Sequence, residues 1–241
     1  MPHPGEVFYL PSEVGEDYHK GDRPHVHLSR WEVNPELVTV AYGSTRNTSA
    51  LHGAEHVRID PAKTSYRGTG LRRPTYVYTS RLVGYPTAEL PPCSGRIIDH
   101  MPDIRASLAR ALGLGCGVTD EPNIPGTNRR GRIVELAADF AEEWDVRHAV
   151  VVTDPHYSRT AFHQLVVPLL DDSYEADALD VRLSDEAWLP RIGDRYETAI
   201  LATPMVSTVY APVQIGRFLR IVVSSTVMDQ LDESLDRYFG L

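Results

Sequence analysis

Apolar and polar residues alternate along most of this chain, which is a strand pattern. After Gly5 the run Val7-Phe8-Tyr9-Leu10 predicts a strand over 6–11. Residues 24–29 alternate, with Val26 and Leu28 on one face and His25 and His27 on the other. Similar runs predict strands over 37–42, 56–59, 75–79 and 95–98. The spacing then becomes helical. Ile104, Leu108 and Leu112 make one apolar stripe, Pro102 suits a first helical turn, and Gly113 suits a C-terminal stop.

A second series follows in the same order. Strands are expected at 133–137, 148–153, 164–170, 179–183, 198–202 and 215–223. A closing helix begins near Ser225 and Thr226, with Thr226 and Asp229 as candidate caps and Val227, Leu231, Leu235 and Tyr238 along its apolar face. Local matches tie the two series together. Gly5-Glu6-Val7-Phe8-Tyr9-Leu10 answers Gly131-Arg132-Ile133-Val134-Glu135-Leu136, and Leu112-Gly113-Leu114 answers Phe239-Gly240-Leu241. Leu108 and Arg110 have counterparts in Leu235 and Arg237. One plan written twice predicts two domains, 1–114 and 129–241, each with its own core. The Gly-, Pro- and Asn-containing stretch 115–128 is the expected linker. The fold class expected is mainly β with C-terminal helices (α+β): two tandem small curved-sheet barrels of SH3-like type, each closed by a helix, arranged as a pseudo-dimer.

Charge separates the two copies. The net charge of the 241 residues is −9. Residues 1–118 hold 13 Lys and Arg against 12 Asp and Glu, with 7 of the 10 His; residues 119–241 hold 11 against 21. A polyanion would find the first copy far more favourable, unless the acidity of the second serves only solubility. No apolar run approaches the roughly 20 residues that span a bilayer. Met1-Pro2-His3-Pro4 lacks the basic and apolar parts of a secretion signal. Cys93 and Cys116 have no paired-ligand spacing. These features predict a cytoplasmic protein without a Cys-based metal site.

An ordered set of motifs in residues 4–114 carries a family resemblance. Gly5-Glu6-Val7-Phe8 opens it; Gly15-Glu16-Asp17 and Gly21-Asp22-Arg23-Pro24 give a loop and an Arg-Pro start to the next strand. Val38-Thr39-Val40-Ala41-Tyr42-Gly43-Ser44-Thr45 leads into a hydroxyl-rich turn, and Gly95-Arg96-Ile97 precedes the helix to Leu114. The series resembles the MazF/PemK toxins, ribosome-independent endoribonucleases of toxin–antitoxin systems. The second copy matches in layout more than in motifs. The resemblance implies cleavage of single-stranded RNA by attack of the ribose 2′-OH on the adjacent phosphate, with no metal or other cofactor. The partners it implies are RNA, an antitoxin protein, and a paired copy within the chain or between chains.

The resemblance also assigns candidates. Arg23 falls on the family's Arg-Pro arginine, and a guanidinium grips phosphate with two parallel hydrogen bonds; the alternative is a structural ion pair. Asp17 falls on the loop acid, with Glu16 able to exchange with it, and His19 titrates near neutrality; a solvated loop is the alternative for all three. Ser44 and Thr45 sit at the hydroxyl turn, followed by Arg46, where ordinary turn chemistry is the alternative. Arg72 and Arg73 make a basic patch. Tyr78, with Tyr76, either stacks bases or packs the sheet. His25 and His27 read as a surface pair ahead of a metal site. One departure stands out. Where the family carries an acid–Gln pair and then an Arg, this chain has Thr79-Ser80-Arg81, and Thr203-Pro204-Met205 in the second copy. The missing acid keeps two further readings open: a catalytically degenerate RNA- or protein-binding module, and a gyrase poison of the related CcdB class.

Overall fold

The computed structural model describes residues 2–11, 22–30, 32, 34–47, 55–60, 68–114, 130–154, 163–171, 173–184, 188–192 and 198–241. The expected linker, Asp17, His19 and Cys116 lie outside the described residues. Among those described, the first half forms β1 (Glu6–Leu10), β2 (Arg23–His27), β3 (Leu37–Ser44), β4 (His56–Ile59), β5 (Thr75–Pro86), β6 (Gly95–Arg96) and α1 (Met101–Leu112). The second half forms β7 (Arg132–Leu136), α2 (Ala138–Trp144), β8 (His148–Val151), β9 (His163–Leu170), β10 (Val181–Leu183), α3 (Leu189–Ile192), β11 (Ala199–Leu201), β12 (Ser207–Tyr210), α4 (Ala211–Gln214), β13 (Ile215–Val222) and α5 (Ser225–Phe239). The chain is mainly β: two antiparallel curled sheets in tandem, each followed by a C-terminal helix. The first sheet runs β4-β5-β3-β2-β1-β6 and the second β10-β11-β9-β8-β7-β13, with β12 also paired to β9.

The repeat is written into the backbone hydrogen bonds. Gly5 N–H donates to His27 O at 2.8 Å, and Gly131 N–H to Val151 O at 2.8 Å. Leu28 N–H donates to Thr39 O, and Val152 N–H to Leu165 O, both at 2.9 Å. The side chains follow suit: Thr39 N–H donates to Ser29 Oγ, and Leu165 N–H to Thr153 Oγ1. Two contacts between the copies are reciprocal. Arg30 N–H donates to Tyr238 O at 2.9 Å, and Asp154 N–H to Ala111 O at 3.0 Å, so each closing helix docks on the segment just after the other copy's second strand. That is the signature of a two-fold, self-complementary interface, here formed inside one chain.

The apolar stripe of α1 lies on its sheet as expected, with Ile104, Leu108 and Leu112 at most 1 % exposed. Its cluster continues through Ile133, Val150 and Leu165 to Leu231, Leu235 and Phe239 of the second copy. The two copies therefore share one extended core, beside smaller apolar clusters that each keeps on the other face of its sheet. Burying an aliphatic side chain of this size contributes about 1.5–3 kcal/mol, so much of what stabilises each sheet comes from the other's helix.

Several expected elements are corrected. β5 extends past Thr79 to Pro86, because a bulge between Tyr42↔Tyr78 and Ala41↔Leu82 inserts Thr79-Ser80-Arg81 and breaks the alternation. Between β7 and β8, where no element was expected, the acidic stretch forms the helix α2, ended by Asp145 in the left-handed conformation (φ 52°). β12 escaped the sequence reading because a 3-10 turn at Thr203–Met205 precedes it. The cap of α5 is Ser224, whose Oγ accepts Val227 N–H, two residues before Thr226, the first of the candidates expected.

Candidate nucleic-acid interface

Antiparallel pairing brings the end of β1, the start of β2, the end of β3 and the start of β5 to one edge of the first sheet. Arg23 opens β2 there, Ser44, Thr45 and Arg46 close β3, and Arg72 and Arg73 precede β5. The sheet thus gathers six of the expected site residues at one end. Thr45, Arg46, Arg72 and Arg73 are exposed, and Arg23 is half-buried. Among the described residues no carboxylate pairs with Arg23, and its Nε is buried without an acceptor. Asp60 shares this end and is turned toward Arg58, at 3.5 Å. Ser44 is mostly buried and its Oγ accepts Arg46 N–H at 3.2 Å, which is turn chemistry.

Behind this end a row of rings crosses the face turned away from α1. His25 pairs with Tyr42, Tyr42 with Tyr78, and Tyr78 with His56. His25 meets Tyr42 edge-on at 5.6 Å, and Tyr42 stacks on Tyr78 at 6.3 Å. Arg81 folds over this row, its guanidinium carbon 5.6 Å from the Tyr42 centroid and 5.3 Å from that of Tyr78. Arg81 is only 8 % exposed. Burial lowers its pKa against the pull of the two tyrosines, yet a guanidinium stays charged. Among the described residues it too has no carboxylate partner, and its Nε has no acceptor. A buried cation left without a counter-charge is costly, and an anion docking against it recovers that cost.

Tyr78 lies beneath the surface, fully buried, with its hydroxyl donating to Arg46 O at 2.9 Å. It supports Arg81 and the turn, and offers no face to a base. The expected surface pair His25 and His27 is also buried, at 3 % and 0 % exposed. The reason is position: both project into the aromatic and apolar side of the sheet. His25 Nδ1 donates to Arg23 O at 3.0 Å, and Ser29 Oγ lies 3.1 Å from His27 Nε2. Burial lowers both pKa values to about 4. His25, Tyr42 and His56 were missed as a group; their shared strand face was legible, but the pairing of three strands was not.

The second copy lacks this arrangement. Matching registers put Ala149 in the place of His25, Pro168 in that of Tyr42, and Met205 in that of Arg81. Ala149 there belongs to an apolar cluster with Val134, Val151 and Val166, covered by Phe140 of α2. Arg147 corresponds to Arg23, and Glu135 stands where the first copy has Tyr9. Arg147 is bonded to Glu135 at 3.1 Å, and Arg217 also binds that carboxylate. Burial would raise the Glu135 pKa, but the two arginines hold it below the usual carboxylate range. An open pocket of about 720 Å³ lies beside this group, with Glu142 and Asp145 on its wall. Its two arginines share the Glu135 carboxylate and face two further acids on the wall, so it is a poor anion site.

No protein-family model matches the chain, and no curated protein matches it. Among solved structures, the Mycobacterium tuberculosis toxin MazF-mt6 matches at 21 % identity and a TM-score of 0.31, over 44 % of this chain and 93 % of that one. No helix among the described residues is long and apolar enough to cross a membrane.

Proposed function

We propose that the first copy binds single-stranded RNA at the Arg23 end of its sheet and cleaves it without a metal, as a toxin-type endoribonuclease. One observation carries the reading: two arginines, Arg23 and Arg81, stand on the same sheet without carboxylate partners among the described residues, while Arg147, the internal counterpart of Arg23, is neutralised by Glu135. In the reaction the ribose 2′-oxygen forms a bond to the adjacent phosphorus, the bond from phosphorus to the 5′-oxygen breaks, and the products are a cyclic phosphate and a 5′-hydroxyl. Arg23 supports the charge that gathers on the non-bridging oxygens. Asp17 and His19 are the proposed proton carriers, outside the described residues. Arg46, Arg72 and Arg73 supply phosphate contacts. The second copy replaces a partner subunit and performs no chemistry.

The test uses a long single-stranded RNA in excess EDTA with the full chain and its Arg23→Ala variant. Cleavage by the wild type, lost by 10²-fold or more in the variant, is expected. Intact RNA with both proteins rejects the nuclease. A second reading is favoured by the Thr79-Ser80-Arg81 bulge, which carries a cation and no acid: an RNA-binding module without catalysis. Retention of uncut RNA by the wild type, weakened in Arg23→Ala, would select it.

A further inference from the structure

Two copies of one plan should make matching contacts across their interface, and at one place they do not. Across the ladder, Thr39 faces Gly84 in the first copy, and Leu165 faces Thr208 in the second. Thr39 and Leu165 hold equivalent hydrogen-bonding places, so Gly84 and Thr208 are counterparts. Thr208 is buried and reaches into the first copy. Its Oγ1 accepts Leu82 N–H at 2.6 Å and donates to Ser80 O at 3.1 Å. Gly84 has no side chain with which to return the contact to Pro204 and Val206.

The two backbone groups that Thr208 holds flank Arg81. The other end of the bulge is fixed as well: Thr79 Oγ1 lies 2.8 Å from Ser107 Oγ, and Thr79 N–H donates to Glu55 O at 3.1 Å. With both ends pinned, the bulge holds the Arg81 backbone where its side chain lies over Tyr42 and Tyr78. We propose that Thr208, supplied by the second copy, is a positioning residue for Arg81, and through Arg81 for an RNA phosphate at the proposed site. The substrate clause rests on the RNA reading above; the positioning does not. The inference gives the second copy a task that its lost site residues would otherwise leave unexplained. A single hydroxyl satisfies both a donor and an acceptor that the bulge takes out of the β3–β5 ladder.

The experiment uses the full chain as wild type, Thr208→Val, Thr208→Ser, Arg81→Ala and the double variant Arg81→Ala/Thr208→Val. The first readout is the NMR signal of Arg81 Nε–H, assigned by its loss in Arg81→Ala and displaced by the tyrosine rings. It should move toward the free-arginine position in Thr208→Val and return in Thr208→Ser. The second readout is affinity for a single-stranded oligoribonucleotide in EDTA. Thr208→Val should weaken binding by about tenfold, the size of a misplaced charge-assisted hydrogen bond. Thr208→Ser should restore it, and Thr208→Val should add nothing once Arg81 is Ala. An unmoved Nε–H signal in Thr208→Val overturns the proposal, as does a loss that adds fully to that of Arg81→Ala. A moved signal in a protein whose wild type ignores RNA keeps the positioning and removes the RNA reading. Should Thr208→Val not fold, Thr208→Cys takes its place with the same expectations.

Discussion

His25 and His27 share a face with Arg23, and burial holds both imidazoles neutral, with pKa values near 4 against 6.5 when unfolded. For His27, a backbone hydrogen bond with His3 and the charges of Glu6 and Glu32 partly offset the burial, while the charge of His3 adds to it. The unfolded chain therefore binds more protons than the folded one between these values. The stabilising term is fully present above about pH 6.5 and is lost as pH falls toward 4, by roughly 3 kcal/mol per imidazole. Urea unfolding at pH 7.5, 6 and 4.5 should show this slope, and a His25→Asn/His27→Asn variant should lose part of it; an unchanged slope would contradict the burial. Arg23 gives the second residue-scale expectation. Its counterpart is silenced by Glu135, and Tyr9, which occupies that place in the first copy, donates to Gly70 O at 3.1 Å. Tyr9→Glu should install the same ion pair, weaken RNA binding, and reduce the slope of log affinity against log salt by about one counterion. An unaltered slope would show that Arg23 does not face the phosphate backbone.

At the scale of elements, the closing helices stop at Gly113 and Gly240, both left-handed at φ 63° and 64°. Each glycine also lies against the other copy, so an added methyl group meets strain and contact together. At Gly113 the methyl would fall 3.0 Å from Asp154 Cα, which is backbone; at Gly240 it would fall 3.2 Å from Arg30 Cδ, which can swing away. Gly113→Ala should therefore cost more than the about 1–2 kcal/mol of backbone strain, and Gly240→Ala little beyond it. Equal losses in thermal melts would refute this reading. The elements also show what sequence can convey. β1 to β4 and both closing helices were legible because their alternation or stripe is unbroken. The alternation that predicts β5 stops at Thr79 because the bulge shifts its phase, and the rest of the strand has no signal of its own. The acidic 139–145 segment reads as loop by composition, although Phe140 and Ala141 cover an apolar face that only the sheet reveals. The basic end was legible from Arg23, Arg46, Arg72 and Arg73. The packing of Arg81 over two tyrosines and the reach of Thr208 depend on strand pairing between distant segments, which no local pattern encodes.

At the scale of the molecule, the two copies are joined by more than apolar contact. Arg130 is buried at the start of the second copy. Its guanidinium donates to Leu112 O at the end of α1, to Val152 O at 2.5 Å, and to the Asp232 carboxylate on α5. One side chain thus links the first closing helix, the residue that follows the second copy's second strand, and the second closing helix. Removing it withdraws one donor from Asp232 and from two carbonyl oxygens at a largely buried junction, a loss on the order of 3 kcal/mol. Because the main apolar cluster runs through both sheets, either copy loses much of its core with its neighbour. The wild type should then melt in a single transition, with calorimetric and van't Hoff enthalpies in agreement. Arg130→Ala should lower that one transition. If the first copy kept a core of its own, the variant would instead show two transitions, one near the wild-type temperature. Calorimetry on the two proteins separates these outcomes. A single transition lowered in Arg130→Ala would tie the candidate site to the second copy's stability, since any loosening of that copy would release the bulge bearing Arg81.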